Sequence, residues 1–299
     1  MNSYASSGTS QPRLDFVSCL SPAGLHRMAY WEWGDPDNDQ VLLCVHGLTR
    51  TGRDFDALAR RMAGRYRVVC PDVVGRGRSD WLANPAYYAM PQYIADMMPL
   101  LARLQPRILH WFGTSMGGLI GMALAGLQAS PIDKLVLNDV GPRLEWEALT
   151  RIGQYLGKAP AFRSFEEAKA YVRTVSASFG DHTEDQWSEL TRNVVRQADG
   201  PEGSWTMHYD PAIAQSFQTL DPAMAIAAEA ALWQVYDSIA CPILVVRGER
   251  SDLLSEDTVE QMLIRNPRAR RADIPGVGHA PTFMTPYQLD IAEDFLCRS

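Results

Sequence analysis

The stretch Ile108-Leu109-His110-Trp111-Phe112-Gly113-Thr114-Ser115-Met116-Gly117-Gly118-Leu119-Ile120-Gly121-Met122-Ala123-Leu124-Ala125 decides the fold. The apolar run ending at Phe112 reads as a buried strand, and the run 118–125 reads as a helix. Between them lies the only Gly-x-Ser-x-Gly of the chain, at 113–117. Strand, sharp turn and helix form the setting of a nucleophile elbow: a strained turn lifts a serine hydroxyl clear of the sheet, and flanking glycines supply backbone room. With Gly and Ser each near ~7% of residues, the three fixed letters arise by accident in about one chain of this length in ten. The surrounding pattern therefore has to carry the reading.

Working outward, short strand-like runs alternate with helix-like ones at 41–45, 67–70, 108–112 and 134–137, and two more strands follow at 242–246 and around 270–274. Near-continuous apolar strands separated by helices predict an α/β fold with a mostly parallel, doubly wound sheet covered on both faces. Between Gly141 and about Ala240 the strand rhythm stops. Ser164-x-x-Glu167 and Thr183-x-x-Gln186 are capping-box patterns, each followed by apolar residues at helical spacing. The reading is a core at 13–142 and 231–299, a helical cap at 143–230, and a flexible amino-terminal tail at 1–12.

Composition limits the partners. The 299 residues carry 46% hydrophobic and 21% charged side chains, as expected of a water-soluble domain with a substantial core. A net charge of -7 without a lysine and arginine stripe argues against nucleic acid or an anionic membrane as the main partner. Five cysteines without Cys-x-x-Cys spacing read as buried reduced thiols. The first dozen residues lack a basic start and an apolar stretch, and no apolar run approaches ~20 residues. A cytoplasmic location is the default expectation.

In a parallel α/β sheet, loops at the carboxyl ends of the strands gather around one crevice. His46-Gly47, Asp72, Ser115, Asp139, Asp252 and His279 each follow a predicted strand, so six reactive-type positions converge on one edge.

At this point the chain resembles the α/β-hydrolase family over nearly its whole length. The resemblance rests on His46-Gly47-Leu48, on Asp72-Val73-Val74-Gly75-Arg76-Gly77-Arg78-Ser79, on the Ser115 elbow, on Gly248-Glu249-Arg250-Ser251-Asp252 and on Gly278-His279. The family's order of nucleophile, acid and histidine then falls on Ser115, Asp252 and His279. Asp139, which ends the strand before the cap, competes for the acid role, because some family members place it there; Asp252 is favoured by its setting after the penultimate strand.

The chemistry asks for these residue types. A serine hydroxyl needs a base within hydrogen-bond reach, and histidine titrates near neutrality. His279 would take the Ser115 proton, and the acid would fix its tautomer. The resemblance places the oxyanion hole at the backbone N–H groups of Leu48 and Met116. Three histidines without a motif (His26, His110 and His182) suit surface or packed roles, and His46 suits a structural one. Asp72 suits tying down its glycine-rich turn. No metal motif or dinucleotide fingerprint is visible, so no cofactor is expected.

The expected reaction is hydrolysis of a carboxylic ester or related acyl bond of a small molecule. Carbon–carbon bond hydrolysis of a ring-cleavage diketone and a non-catalytic ligand receptor are the alternatives. For the substrate pocket, the cap offers Trp205, His208 and Tyr209, with Met207 and Trp233 nearby. The oligomeric state is left open.

Overall fold

The computed structural model describes residues 11–158, 160–198, 203–218 and 221–298. The expected tail at 1–12 falls mostly outside them. From the amino terminus come β1 (Arg13–Ser21), β2 (Gly24–Trp33), β3 (Gln40–Val45), α1 (Asp56–Met62), β4 (Arg67–Pro71), α2 (Met90–Leu104), β5 (Ile108–Thr114), α3 (Met116–Ala125) and β6 (Lys134–Asn138). There follow α4 (Trp146–Tyr155), β7 (Ala161–Phe162), α5 (Phe165–Val175), α6 (Glu184–Val194), β8 (Val195–Gln197), β9 (Trp205–Met207), α7 (Gln215–Gln218) and α8 (Pro222–Asp237). The chain closes with β10 (Ile243–Gly248), α9 (Glu256–Arg265), β11 (Ala269–Ile274) and α10 (Pro286–Cys297).

Eight strands form one sheet in the order β1-β2-β4-β3-β5-β6-β10-β11. The six from β4 to β11 are parallel, and the β1–β2 hairpin adds an antiparallel edge. That hairpin escapes a search for continuous apolar runs because β1 is half exposed and alternates, as an edge strand does. The central strands are buried on both faces, and their period of two divides the core. Val41, Leu43, Val45, Leu109 and Trp111 pack with α2 and α3, while Leu42, Cys44, Val68 and Phe112 pack with α1 and α10. Helix α3 is buried almost all round, which fits its unbroken apolar sequence.

The interval between β6 and β10 was expected to be helical, and α4, α5 and α6 are there. It also carries a three-stranded antiparallel sheet, β7-β9-β8, whose strands of two or three residues are too short to register as a period-two pattern. The Thr183–Gln186 capping box forms in both directions. The Ser164 hydroxyl accepts from the Glu167 N–H, but the Glu167 carboxylate turns to the Arg163 N–H, so this box is half formed. Helix α8 returns to the core: Trp233 and Tyr236 are buried, and Val235 packs at the end of α3 beside Gly126.

Segments between β6 and β10 are stitched to loops of the large sheet by backbone hydrogen bonds from Gly77 N–H to His208 C=O (2.9 Å), Asp210 N–H to Gly75 C=O (2.8 Å) and Gly278 N–H to Ser178 C=O (2.6 Å). The Thr51 hydroxyl also donates to Asn193 C=O at 3.0 Å. Among the described residues no helix is long and apolar enough to cross a membrane.

Candidate active site

Strand β5 delivers Ser115 into a conformation few residues tolerate, φ 52° and ψ -117°, directly before α3. The flanking glycines explain how. A Cβ on Gly117 would collide with the Val45 carbonyl of β3, and one on Gly113 would strike the backbone of Gly117 and Gly118. The turn is pinned by Ser115 N–H donating to Asn138 C=O at 3.0 Å and by the Trp111 indole N–H donating to Gly117 C=O at 3.0 Å.

The Ser115 hydroxyl lies 3.1 Å from His279 Nε2, and His279 Nδ1 lies 2.7 Å from Asp139 Oδ2. For the ring to accept from the serine, its proton sits on Nδ1 and is donated to the carboxylate. Asp139 has no exposed side-chain surface and φ 57°. Its Oδ1 accepts from the Gly248 N–H at 2.7 Å, and its Oδ2 also accepts from the Ser251 hydroxyl at 2.6 Å.

Asp252, favoured as the histidine's partner, is not on His279. Its carboxylate is forked by the Arg151 guanidinium of α4 at 2.7 and 3.0 Å, and both side chains are substantially exposed. The physical reason is local. The loop after β10 turns Ser251 inward to Asp139 and carries Asp252 outward to Arg151 on α4. The signal for Asp139 was its place at the very end of β6, beside the elbow strand.

Leu48 and Met116 flank Ser115, and among the described residues neither N–H has a partner in the protein. Arg76, which the sequence reading passed over, connects the two. Its guanidinium is fully buried without a carboxylate, donates to Leu48 C=O (2.8 Å) and Val74 C=O (2.7 Å), and reaches Met116 Sδ at 3.6 Å. The Tyr93 ring lies 4.8 Å beneath it. A cation buried in this way has to be satisfied by hydrogen bonds, and one of those bonds fixes the Leu48 carbonyl, in the peptide after the one that carries the Leu48 N–H.

The other polar positions are structural. His46 Nε2 accepts from the Val73 N–H at 2.9 Å, so Nδ1 donates to Gly47 C=O at 2.7 Å, and burial pushes its pKa down to about 3. Asp72 accepts from Gly52 N–H (2.7 Å), Arg78 N–H (2.9 Å) and the Trp31 indole (3.2 Å), tying its turn down. His110 contacts the Tyr66 hydroxyl, and His182 the Thr282 hydroxyl. Cys19, His26 and Asp96, scattered in sequence, meet in a buried cluster in which His26 bonds Asp96 at 3.0 Å.

A cavity of about 90 Å³ opens on Ser115 and His279, bounded by Leu48, Arg50, Arg151, Tyr155, Phe179 and Met207 among others. Trp205, His208 and Tyr209 do not line it. Met207 does. Trp205 and His208 face a separate cleft of about 530 Å³, while Tyr209 is buried with its hydroxyl toward Lys158 C=O. Trp233 packs in the core, with Arg265 over its ring.

Comparison with known proteins identifies the family. A model of the alpha/beta hydrolase family matches residues 42–288. A 3-hydroxybutyrate-oligomer hydrolase of Cupriavidus necator is 56% identical over 288 residues, covering 96% of this chain and 98% of that protein. An alpha/beta hydrolase structure from Novosphingobium aromaticivorans is 34% identical with a TM-score of 0.84, covering 98% of this chain and all of that one. Esterase YbfF of Escherichia coli is 26% identical over 81% of this chain and 87% of its own length. By fold, by elbow and by this full-length likeness, the chain belongs to the alpha/beta hydrolase family.

Proposed function

We propose that this protein is a carboxylic-ester hydrolase that acts through an acyl-enzyme on Ser115 and takes short oligomers of 3-hydroxybutyrate as substrates. The observation that carries the mechanism is the unbroken chain from Ser115 Oγ through His279 to Asp139, at 3.1 and 2.7 Å. Support for the substrate comes from the likeness to the Cupriavidus necator hydrolase across almost all of both chains.

In this reading Ser115 attacks the ester carbonyl while His279 takes its proton, and Asp139 stabilises the imidazolium. The tetrahedral oxyanion is met by the Leu48 and Met116 N–H groups, with Arg76 holding the Leu48 carbonyl in place. Collapse expels the alcohol, which receives its proton from His279. Water then attacks the acyl-enzyme by the same route and releases the acid. The 90 Å³ cavity is small beside the roughly 300–1,000 Å³ usual for ligand pockets, which suits a short acyl unit. The insertion between β6 and β10 acts as the cap that sets this limit.

The test is release of 3-hydroxybutyrate from its dimer and trimer, followed chromatographically, together with labelling by a serine-directed phosphonate read by intact mass. Ser115→Ala should lower turnover at least ~10³-fold and abolish labelling while the circular dichroism spectrum is unchanged. Turnover within tenfold of wild type in Ser115→Ala would refute the mechanism.

A further inference from the structure

We propose that Arg151 is the carboxylate-binding site of the Ser115 cavity, so that the enzyme cleaves acid-terminated oligoesters at the ester nearest their free carboxyl end and releases one hydroxyacid at a time. This rests on the oligoester reading above and adds the direction from which the chain is consumed.

The cavity wall contains no aspartate or glutamate, and its permanently cationic members are Arg50 and Arg151. Both arginines find their carboxylate partners outside the wall, Asp54 for Arg50 and Asp252 for Arg151, so the wall itself offers an incoming ligand cationic groups and no anionic one. The two arginines are not equally available. Arg50 is locked: its Nε and Nη2 fork Asp54 at 2.5 and 2.7 Å, the Leu190 carbonyl takes a further bond at 3.5 Å, and the Phe179 ring lies 5.5 Å below.

Arg151 is held only by Asp252, through Nε and Nη2, and the Nη1 group donates to nothing among the described residues. The side chains of this pair are 39% and 47% exposed, the regime in which an ion pair contributes little and exchanges readily. A substrate carboxylate can therefore bond Nη1 or take the fork from Asp252 at small cost. Bidentate recognition of a planar carboxylate is the geometry that a guanidinium provides.

The chemistry of the substrate matches. In an ester between two 3-hydroxyacids, four bonds separate the scissile carbonyl carbon from the carboxylate carbon of the terminal unit, a span of roughly 5 Å. A carboxylate anchored on a wall of so small a cavity thus presents the adjacent ester, and not one further along the chain, to Ser115. Asp252 follows the penultimate strand, and here it serves as the internal anion that keeps the guanidinium aimed while the site is empty.

The test compares the 3-hydroxybutyrate dimer as free acid and as methyl ester, with p-nitrophenyl butyrate as a neutral control, in wild type, Arg151→Met and Arg151→Lys. Wild type should prefer the acid. Arg151→Met should lose about 10- to 100-fold in kcat/KM on the acid, mostly through KM, because the carboxylate contact is the same in ground and transition states. On the methyl ester and the control it should change less than about twofold. Arg151→Lys should recover part of the acid preference.

Equal losses on acid and methyl ester, or no loss on the acid, would overturn the assignment of Arg151. So would a wild type indifferent to methylation. Wild-type hydrolysis of p-nitrophenyl butyrate with neither form of the dimer cleaved would instead overturn the oligoester reading itself.

Discussion

At Asp139 one carboxylate without exposed surface receives the Gly248 N–H, the Ser251 hydroxyl and His279 Nδ1. Asp252 meets only Arg151, at the surface. The two aspartates are chemically identical, so their environments make a sharp test. Asp139→Asn should lower kcat on p-nitrophenyl butyrate by about 10³- to 10⁴-fold, because an amide cannot hold the imidazole in the required tautomer. Asp252→Asn should remain within about tenfold of wild type on the same ester, since an exposed pair contributes little. The reverse order would return the acid role to Asp252. Why the sequence reading favoured Asp252 is now evident: both aspartates follow a strand, and only the turn taken by Ser251 and Asp252 decides which one reaches the imidazole.

At the scale of elements, the β5–α3 junction depends on how closely α3 approaches β3. Gly117 has no room for a methyl group because the Val45 carbonyl occupies the place, whereas a Cβ on Gly64, after α1, would meet nothing within 4 Å. Gly117→Ala should therefore cost about 3 kcal/mol or more of unfolding free energy, and Gly64→Ala should stay within about 0.5 kcal/mol. Urea denaturation of both variants checks this, and equal midpoints would contradict the close-approach account. The elbow and the five parallel strands around it were legible because buried strands and glycine-flanked turns write themselves in consecutive residues. The edge hairpin β1–β2 and the small sheet β7-β9-β8 were not, since one alternates at a half-exposed edge and the other is too short to show a period.

Across the whole molecule, burial leaves several histidines neutral. It pushes His46 down to about 3 and His110 to about 4, and burial with the nearby Arg78 and Arg196 charges pushes His208 to about 4. Each has a folded pKa below its unfolded value near 6.5, so the stability it contributes is complete above that value and declines as pH falls toward the depressed one, by up to about 1.4 kcal/mol per pH unit. Asp72, raised by burial to about 6, works in the opposite sense: it favours the folded state increasingly as pH falls from 6 toward 4. Burial also raises Asp54 and Asp96, which act in the same sense.

These three histidines outweigh Asp72 between pH 7 and 5, and net stability should drop by about 4 kcal/mol over that interval. Urea midpoints at the two pH values measure it, and a midpoint that rises on acidification would show that the histidines do not remain neutral.

The sequence by itself determined the sheet class, the elbow serine, the histidine after the last strand and the order of their arrival along the chain. Each is encoded in short contiguous stretches, where apolar period, glycine freedom and residue chemistry coincide. The tertiary structure alone decided which aspartate faces His279, which residues between β6 and β10 border the Ser115 cavity, and that Arg76 is buried while Arg151 is part exposed at the cavity wall. Those outcomes depend on where loops from distant strands turn, within a few ångströms, and no local pattern of residues carries that information.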